Sequence, residues 1–137
     1  MTTYFLDTNI CIYILNNRYP HLKQRLIECA MDSIKIPSAV YYELCHGAEK
    51  SNQREQSFER LSVFVSAIEI VPFDERAAEL AGKIRADLEQ TGQLIGGNDI
   101  IIAATALAND ATLVTNNLRE FERINGLSVK NWVGYEG

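Results

Sequence analysis

The strongest constraint on the fold is an alternation along the chain between short apolar runs and longer stretches with helical periodicity. Each short run ends close to Pro, Asp or Asn, which is typical of buried strands. These runs are residues 4–6, 34–36, 69–71 and 112–114. Strands that alternate with helices form parallel sheets covered by helices on both faces. We therefore predict an α/β fold, a three-layer α/β/α sandwich around a mostly parallel sheet.

The stretches between the strands carry the helical pattern. Phe58, Leu61, Val65 and Ile68 share one helical face, and a second apolar face runs from Ala77 to Leu88. Residues 100–108 are apolar on every side. We expect that helix to be buried between the sheet and its neighbours.

Length and composition indicate one soluble domain. The chain has 137 residues, of which 47% are hydrophobic and 23% charged, so we expect a single domain over residues 1–137. No apolar run approaches the roughly 20 residues that span a bilayer, and the N-terminal residues lack the basic region of a signal peptide. The three cysteines have no CxxC spacing. Buried thiols in a reducing, cytoplasmic setting are therefore the expectation.

The net charge of −5 argues against a generic nucleic-acid binder, because Lys and Arg in excess normally supply the phosphate contacts. A cation held by carboxylates would supply local positive charge. Nucleic-acid chemistry is thus compatible with this composition only if it depends on such a cation or on a local basic rim.

Three acidic residues lie where a functional site is expected in a parallel sheet. Asp7 directly follows the first strand, Glu43 lies in the helix after the second, and Asp99 opens the fully apolar helix. Each also has an ordinary explanation. Asp7 and Asp99, or Asn98 beside it, suit helix caps, and Glu43 suits an exposed helix position.

Asn116 and Asn117 follow the fourth strand, and they suit a turn as well as a site. Ligands bind beyond the carboxyl ends of parallel strands, so the three acids and this amide pair are expected to converge there. Carboxylates packed together repel one another unless a cation is present. Their oxygens suit Mg²⁺ or Mn²⁺, whereas neither histidine has a partner at zinc spacing. Such a metal can activate water for phosphodiester hydrolysis.

Four motifs together resemble the PIN-domain family and, within it, the VapC toxins. They are FLDTN at residues 5–9, ELCHGAE at 43–49, IGGND at 95–99 and LVTNNLREF at 113–121. Each motif alone is weak, but the four lie in the family's order and span nearly the whole chain.

The resemblance implies a five-stranded parallel sheet and a Mg²⁺-dependent endoribonuclease, with Mn²⁺ as a possible substitute. It also implies a homodimer, inhibition by a small antitoxin, and structured RNA such as tRNA as a plausible target. The family's acidic positions fall on Asp7, Glu43 and Asp99. The fourth, an Asp in many PIN nucleases, falls on Asn117, which puts a second metal ion in doubt. Glu120 either supplies the missing carboxylate or is an exposed residue at a helix start.

Residues outside the four acidic positions are candidates for binding RNA. Arg119 and Arg123 are spaced as neighbours on one helical face and either contact RNA or are merely solvated. Aromatic residues are candidates for base stacking, for lining an antitoxin groove or, alternatively, for core packing. These are Tyr41, Tyr42 and Phe58.

Two rival functions share parts of this pattern. A phospho-acceptor signalling domain also gathers acids at strand ends, but it needs adjacent acids after the first strand, where Thr8 follows Asp7. A catalytically inactive PIN-type module that binds RNA or protein would not need Asp7, Glu43 and Asp99 together.

Overall fold

The computed structural model describes residues 2–133, so residue 1 and residues 134–137 of the expected domain lie outside the described part. Five strands form one sheet in the order β3-β2-β1-β4-β5, and every neighbouring pair is parallel. The strands are β1 (Tyr4–Leu6), β2 (Ile34–Pro37), β3 (Glu69–Val71), β4 (Thr112–Val114) and β5 (Ser128–Lys130). The prediction of an α/β fold with a parallel, five-stranded sheet is confirmed.

Seven helices within residues 2–133 flank the sheet. They are α1 (Thr8–Leu15), α2 (Pro20–Glu28), α3 (Ser38–Lys50), α4 (Arg54–Val65), α5 (Glu75–Gln90), α6 (Gly97–Ala108) and α7 (Leu118–Phe121), with a 3-10 turn at Met31–Ser33. None of the helices in the described part of the chain has both the length and the apolarity needed to span a membrane.

The order of the strands fixes the helices to two faces. The chain moves outward in one direction from β1 through β2 to β3, then returns across the sheet to β4 and continues to β5. Parallel crossovers are right-handed, so reversing the direction of travel moves the connecting helices to the opposite face. Helices α1 to α4 therefore cover one face, and α5 to α7 cover the other.

The core follows from this layering. Strand β4 is buried along its whole length, as expected for a central strand between two helical layers. Helix α6 buries its central residues, Ile102 to Ala106, and it packs against α5 and the sheet, as its apolar sequence predicts. The reversal of direction between β1 and β4 leaves a crevice at their carboxyl ends, which is the usual ligand site of such sheets.

Candidate active site

Asp7 lies at the bottom of this crevice and is 5% exposed. Pairing between the two central strands continues past β1, because the Asp7 N–H donates to the Val114 carbonyl at 2.9 Å. One carboxylate oxygen, Oδ1, accepts from the Thr8 N–H at 2.8 Å, so Asp7 caps α1 as a turn residue would. The other, Oδ2, accepts from the buried hydroxyl of Thr115 at 2.7 Å. Capping and a position in the candidate site are therefore both true of Asp7.

Glu43 reaches the same crevice from the second turn of α3. The Thr8 hydroxyl donates to Glu43 Oε1, and the Asn98 amide donates to Oε2 at 3.2 Å. Its neighbours thus come from the start of α1 and the start of α6. An ordinary exposed helix position does not account for this pair of bonds.

Asp99 is the third residue of α6, and it does not cap that helix. The cap residue is Gly96, with no side-chain hydrogen bond, so the simpler explanation by capping is wrong. Burial, followed by the charges of Asp7, Glu120 and Glu43, raises the pKa of Asp99 from 3.8 to about 6. Asp99 is therefore close enough to three other carboxylates to be repelled by each of them.

The Asn117 amide donates to Glu120 Oε1 at 2.6 Å, and the Asn117 N–H donates to the Thr115 hydroxyl at 2.9 Å. The neutral residue at the fourth position, Asn117, thus holds the Glu120 carboxylate near the other three acids. The sequence left open whether Glu120 belongs to the site. In the structure, the charge of Glu120 raises the pKa of Asp99.

The charge balance of this carboxylate cluster (Asp7, Glu43, Asp99 and Glu120) is unusual. Among residues 2–133 no Lys or Arg forms an ion pair with any of the four. Burial is the main cause of the raised pKa of Asp7, and the charge of Glu43 contributes to it. Half-buried carboxylates that accept hydrogen bonds only from neutral groups need a cation from outside the chain to balance their charge.

The donor set fits a hard divalent cation. All four side chains offer oxygen ligands, which Mg²⁺ and Mn²⁺ prefer. Within the described part of the chain, no three acidic, histidine or cysteine side chains already lie in a ready-made metal cage. Mg²⁺ keeps several waters and binds through one or two carboxylates, so it does not require such a cage.

Three neutral residues of the site went unnoticed in the sequence. Thr115 is completely buried and joins Asp7 to the backbone of Asn117. Thr8 and Asn98 hold Glu43. A threonine that directly follows a buried strand is a usable signal, because a buried hydroxyl requires a hydrogen-bond partner.

The two arginines do not share a helical face as their spacing suggests. Helix α7 ends at Phe121, so Arg119 lies on it and Arg123 lies beyond it. Arg123 donates to the Gln93 carbonyl at 3.2 Å. It lines a groove of about 240 Å³ together with Leu80 and other residues of the α5 face. The assumption of an i,i+4 helical pair is wrong.

Comparison with known proteins agrees with this geometry. The profile of the PIN domain matches residues 4–127. The chain belongs to the PIN-domain family. It is 43% identical over 131 residues to ribonuclease VapC2 of Rickettsia felis, covering 94% of this chain and 97% of that protein. It is 38% identical over 132 residues to the tRNA(fMet)-specific endonuclease VapC of Shigella flexneri, covering 96% and 99% of the two chains.

A solved structure shares the whole fold. The DNA-bound VapBC of Salmonella typhimurium contains a chain that is 38% identical, with a TM-score of 0.90 and coverage of 96% of this chain and 99% of that one. PIN-domain ribonucleases generally depend on divalent metal ions, and the carboxylate cluster is a donor set of the kind that such an ion requires.

Proposed function

We propose that this protein is a Mg²⁺-dependent endoribonuclease, the toxin of a toxin–antitoxin pair. The observation that carries the proposal is the carboxylate cluster at the crevice between β1 and β4, where burial and then the charges of the neighbouring carboxylates raise the pKa of Asp99 to about 6. The relatives named as ribonuclease and tRNA-specific endonuclease support RNA as the substrate. A tRNA is the most plausible target.

Asp7, Glu43 and Asp99 are the residues proposed to hold Mg²⁺, for which Mn²⁺ can substitute. When bound, this ion supplies an activated water and neutralises charge on the phosphate that is cleaved. Asn117 is proposed to take part through Glu120, whose carboxylate it holds at 2.6 Å. Glu120 therefore replaces the charge that a neutral fourth position lacks.

The chain's own contribution is to hold these oxygens in fixed directions. The Thr8 N–H and the Thr115 hydroxyl each engage one oxygen of Asp7, so its carboxylate is not free to rotate. Glu43 is held at both oxygens by donors from two helices. Fixed ligands lower the reorganisation that the site undergoes during the reaction.

The surface next to Glu43 supports an antitoxin partner. A groove of about 250 Å³ runs between α1, α3 and α4, and Glu43 lies on its wall. Its apolar lining includes Ile12, Leu15, Leu44 and Leu61. We expect an apolar antitoxin segment to occupy this groove and an Arg or Lys beside it to enter the carboxylate cluster. The homodimer remains a prediction from the family resemblance.

The test is cleavage of RNA by the purified protein with Mg²⁺, with a chelator, and with the neighbouring gene product added. We expect cleavage with Mg²⁺ alone and a loss of cleavage under the other two conditions. Mapping the new 5′ ends in cells that express the wild type or Glu43→Gln then identifies the target. If the protein binds RNA but leaves it intact with every divalent metal, the chain is an inactive binding module and the proposal is wrong.

A further inference from the structure

An exposed arginine is held over two tyrosine rings at the end of α1. The Arg18 guanidinium carbon lies 5.5 Å from the centre of the Tyr13 ring and 5.4 Å from that of Tyr19. The two rings meet edge to face, with their centres 4.9 Å apart. We call these three residues the tyrosine–arginine platform.

The backbone builds this platform through a specific helix ending. Asn17, which follows the Asn16 cap of α1, adopts a left-handed conformation with φ of 54°. The Asn17 N–H donates to the Ile14 carbonyl at 3.1 Å, and the Arg18 N–H donates to the Tyr13 carbonyl at 2.9 Å. This is the Schellman pattern. It folds the chain back on itself, so Arg18 lies over the ring one turn earlier.

The platform borders the candidate active site. The Asn116 amide donates to the Tyr13 hydroxyl at 3.1 Å. Asn116 directly follows Thr115, whose hydroxyl is bonded to Asp7. Two residues of one loop therefore contact the carboxylate cluster and the platform respectively.

Arg18 differs from the other arginines that lie over rings. Arg54 covers Phe58 but is paired with Glu49 at 2.8 Å. Arg25 covers the buried ring of Trp132. Arg18 is exposed and forms no ion pair with any residue between 2 and 133. Its exposed guanidinium is therefore open to a ligand.

We propose that the tyrosine–arginine platform binds one unpaired nucleotide of the RNA substrate beside the cleaved phosphate. This inference rests on the proposed function and adds a subsite to it. The base stacks on the Arg18 guanidinium and the edge of Tyr19, and Arg18 also contacts the phosphate of that nucleotide. Stacking on a ring or a guanidinium accepts any base, so it selects for unpaired RNA more than for a particular sequence. A net-acidic protein gains here the local cation that its overall charge does not provide.

The experiment measures the affinity of a single-stranded RNA oligonucleotide with Ca²⁺ present to suppress cleavage. Arg18→Gln and Tyr19→Leu are compared with the matched controls Arg25→Gln and Phe58→Leu. We expect the first two variants to weaken binding by about 5- to 100-fold and the controls to leave it close to wild type. Because Arg18 is exposed, its variant keeps the fold, which circular dichroism verifies.

A second measurement tests whether Tyr19 contacts the base of the nucleotide. With an oligonucleotide of the same length that lacks bases, Tyr19→Leu is expected to bind as the wild type does. Equal affinities of Arg18→Gln, Tyr19→Leu and the two controls for ordinary RNA would overturn the subsite while leaving the proposed ribonuclease intact. Failure of the wild type to bind or cleave RNA at all would overturn both proposals.

Discussion

The acidic residues of α5 and those of the carboxylate cluster have opposite surroundings. On α5, Asp87 pairs with Lys83 at 3.0 Å, and Glu89 pairs with Arg85 at 3.2 Å, with both carboxylates more than half exposed. In the cluster, Asp7 is 5% exposed and accepts hydrogen bonds only from a backbone N–H and a hydroxyl. The same side-chain chemistry is balanced internally in one region and left unbalanced in the other.

This difference distinguishes a solvated surface from a candidate binding site. Paired carboxylates on an exposed helix contribute little to stability, because water and salt screen them. Unpaired, half-buried carboxylates are unfavourable in the protein alone, and the fold must hold them in place. An arrangement that destabilises the empty protein is expected where a charged ligand will bind.

The largest contrast is expected in catalysis. Asp7→Asn keeps the size and one acceptor oxygen of the side chain but removes its charge, so it should lower the rate of RNA cleavage by at least about a hundredfold. Asp87→Asn is the matched control on α5, and it should cleave at the wild-type rate. Single-turnover cleavage with Mg²⁺ measures both. Activity of Asp7→Asn within a few-fold of wild type would end the assignment of Asp7 as a metal ligand.

A smaller effect on catalysis is expected at the edge of the cluster. Glu120 acts on Asp99 through its charge and is held by Asn117. Glu120→Gln should therefore lower the cleavage rate by about tenfold, and Glu89→Gln on α5 should not change it. If Glu120→Gln and Glu89→Gln cleave equally fast, Glu120 is an ordinary exposed residue and the cluster has three members.

The acidic positions were predictable because they depend on local rules. Asp7 follows a strand directly, so the strand-end rule places it beside the switch point of the sheet. Asp99 opens an apolar helix, and the helix N-terminus is expected at the same edge. The first four strands along the chain were found for the same reason. Strand β5, Ser128–Lys130, is short, with Val129 as its only apolar residue. Only the family resemblance implied a fifth strand.

The proposed tyrosine–arginine platform depends on one contact between distant parts of the chain and on one unusual backbone conformation. Tyr13 meets Asn116 across more than a hundred residues, and Arg18 reaches Tyr13 only because Asn17 adopts a left-handed conformation. The pattern left Phe58 open to base stacking or core packing, and the structure packs it against the core with Arg54 over its ring. Arg123 was misplaced because α7 ends after a single turn, which spacing alone does not reveal.

The next contrast concerns stability and pH in the absence of metal. The folded pKa of Asp99, about 6, lies above its ordinary value of 3.8. The stability gained from this carboxyl is therefore complete below about pH 3.8 and is lost as the pH rises through about 6. Asp99→Asn cannot ionise, so its stability relative to wild type should improve between about pH 5 and pH 7.5 by on the order of 1 kcal/mol, a few degrees in Tm.

Thermal unfolding with a chelator at the two pH values measures this change. Mg²⁺ added at the higher pH should raise the Tm of the wild type and leave that of Asp99→Asn nearly unchanged. Asp87→Asn should show the wild-type response to both pH and Mg²⁺. A constant difference in Tm between wild type and Asp99→Asn across this pH range would mean that neither burial nor the neighbouring charges raise the pKa of Asp99.

The smallest effect is expected from the ion pairs of α5 themselves. Asp87→Asn removes the partner of Lys83, and an exposed i,i+4 pair contributes about 0.3–0.5 kcal/mol. Asp87 also lies in the last turn of α5, where the helix dipole disfavours a negative charge. The substitution relieves that repulsion, so the two effects oppose each other and the Tm should change by no more than about 2 °C.

Both effects are screened by salt, so at high ionic strength the difference from wild type should vanish. Urea unfolding at low and high salt measures it. A loss of more than about 1 kcal/mol that persists in high salt would show that the α5 carboxylates also carry structural strain, and the contrast between the two regions would then be one of degree.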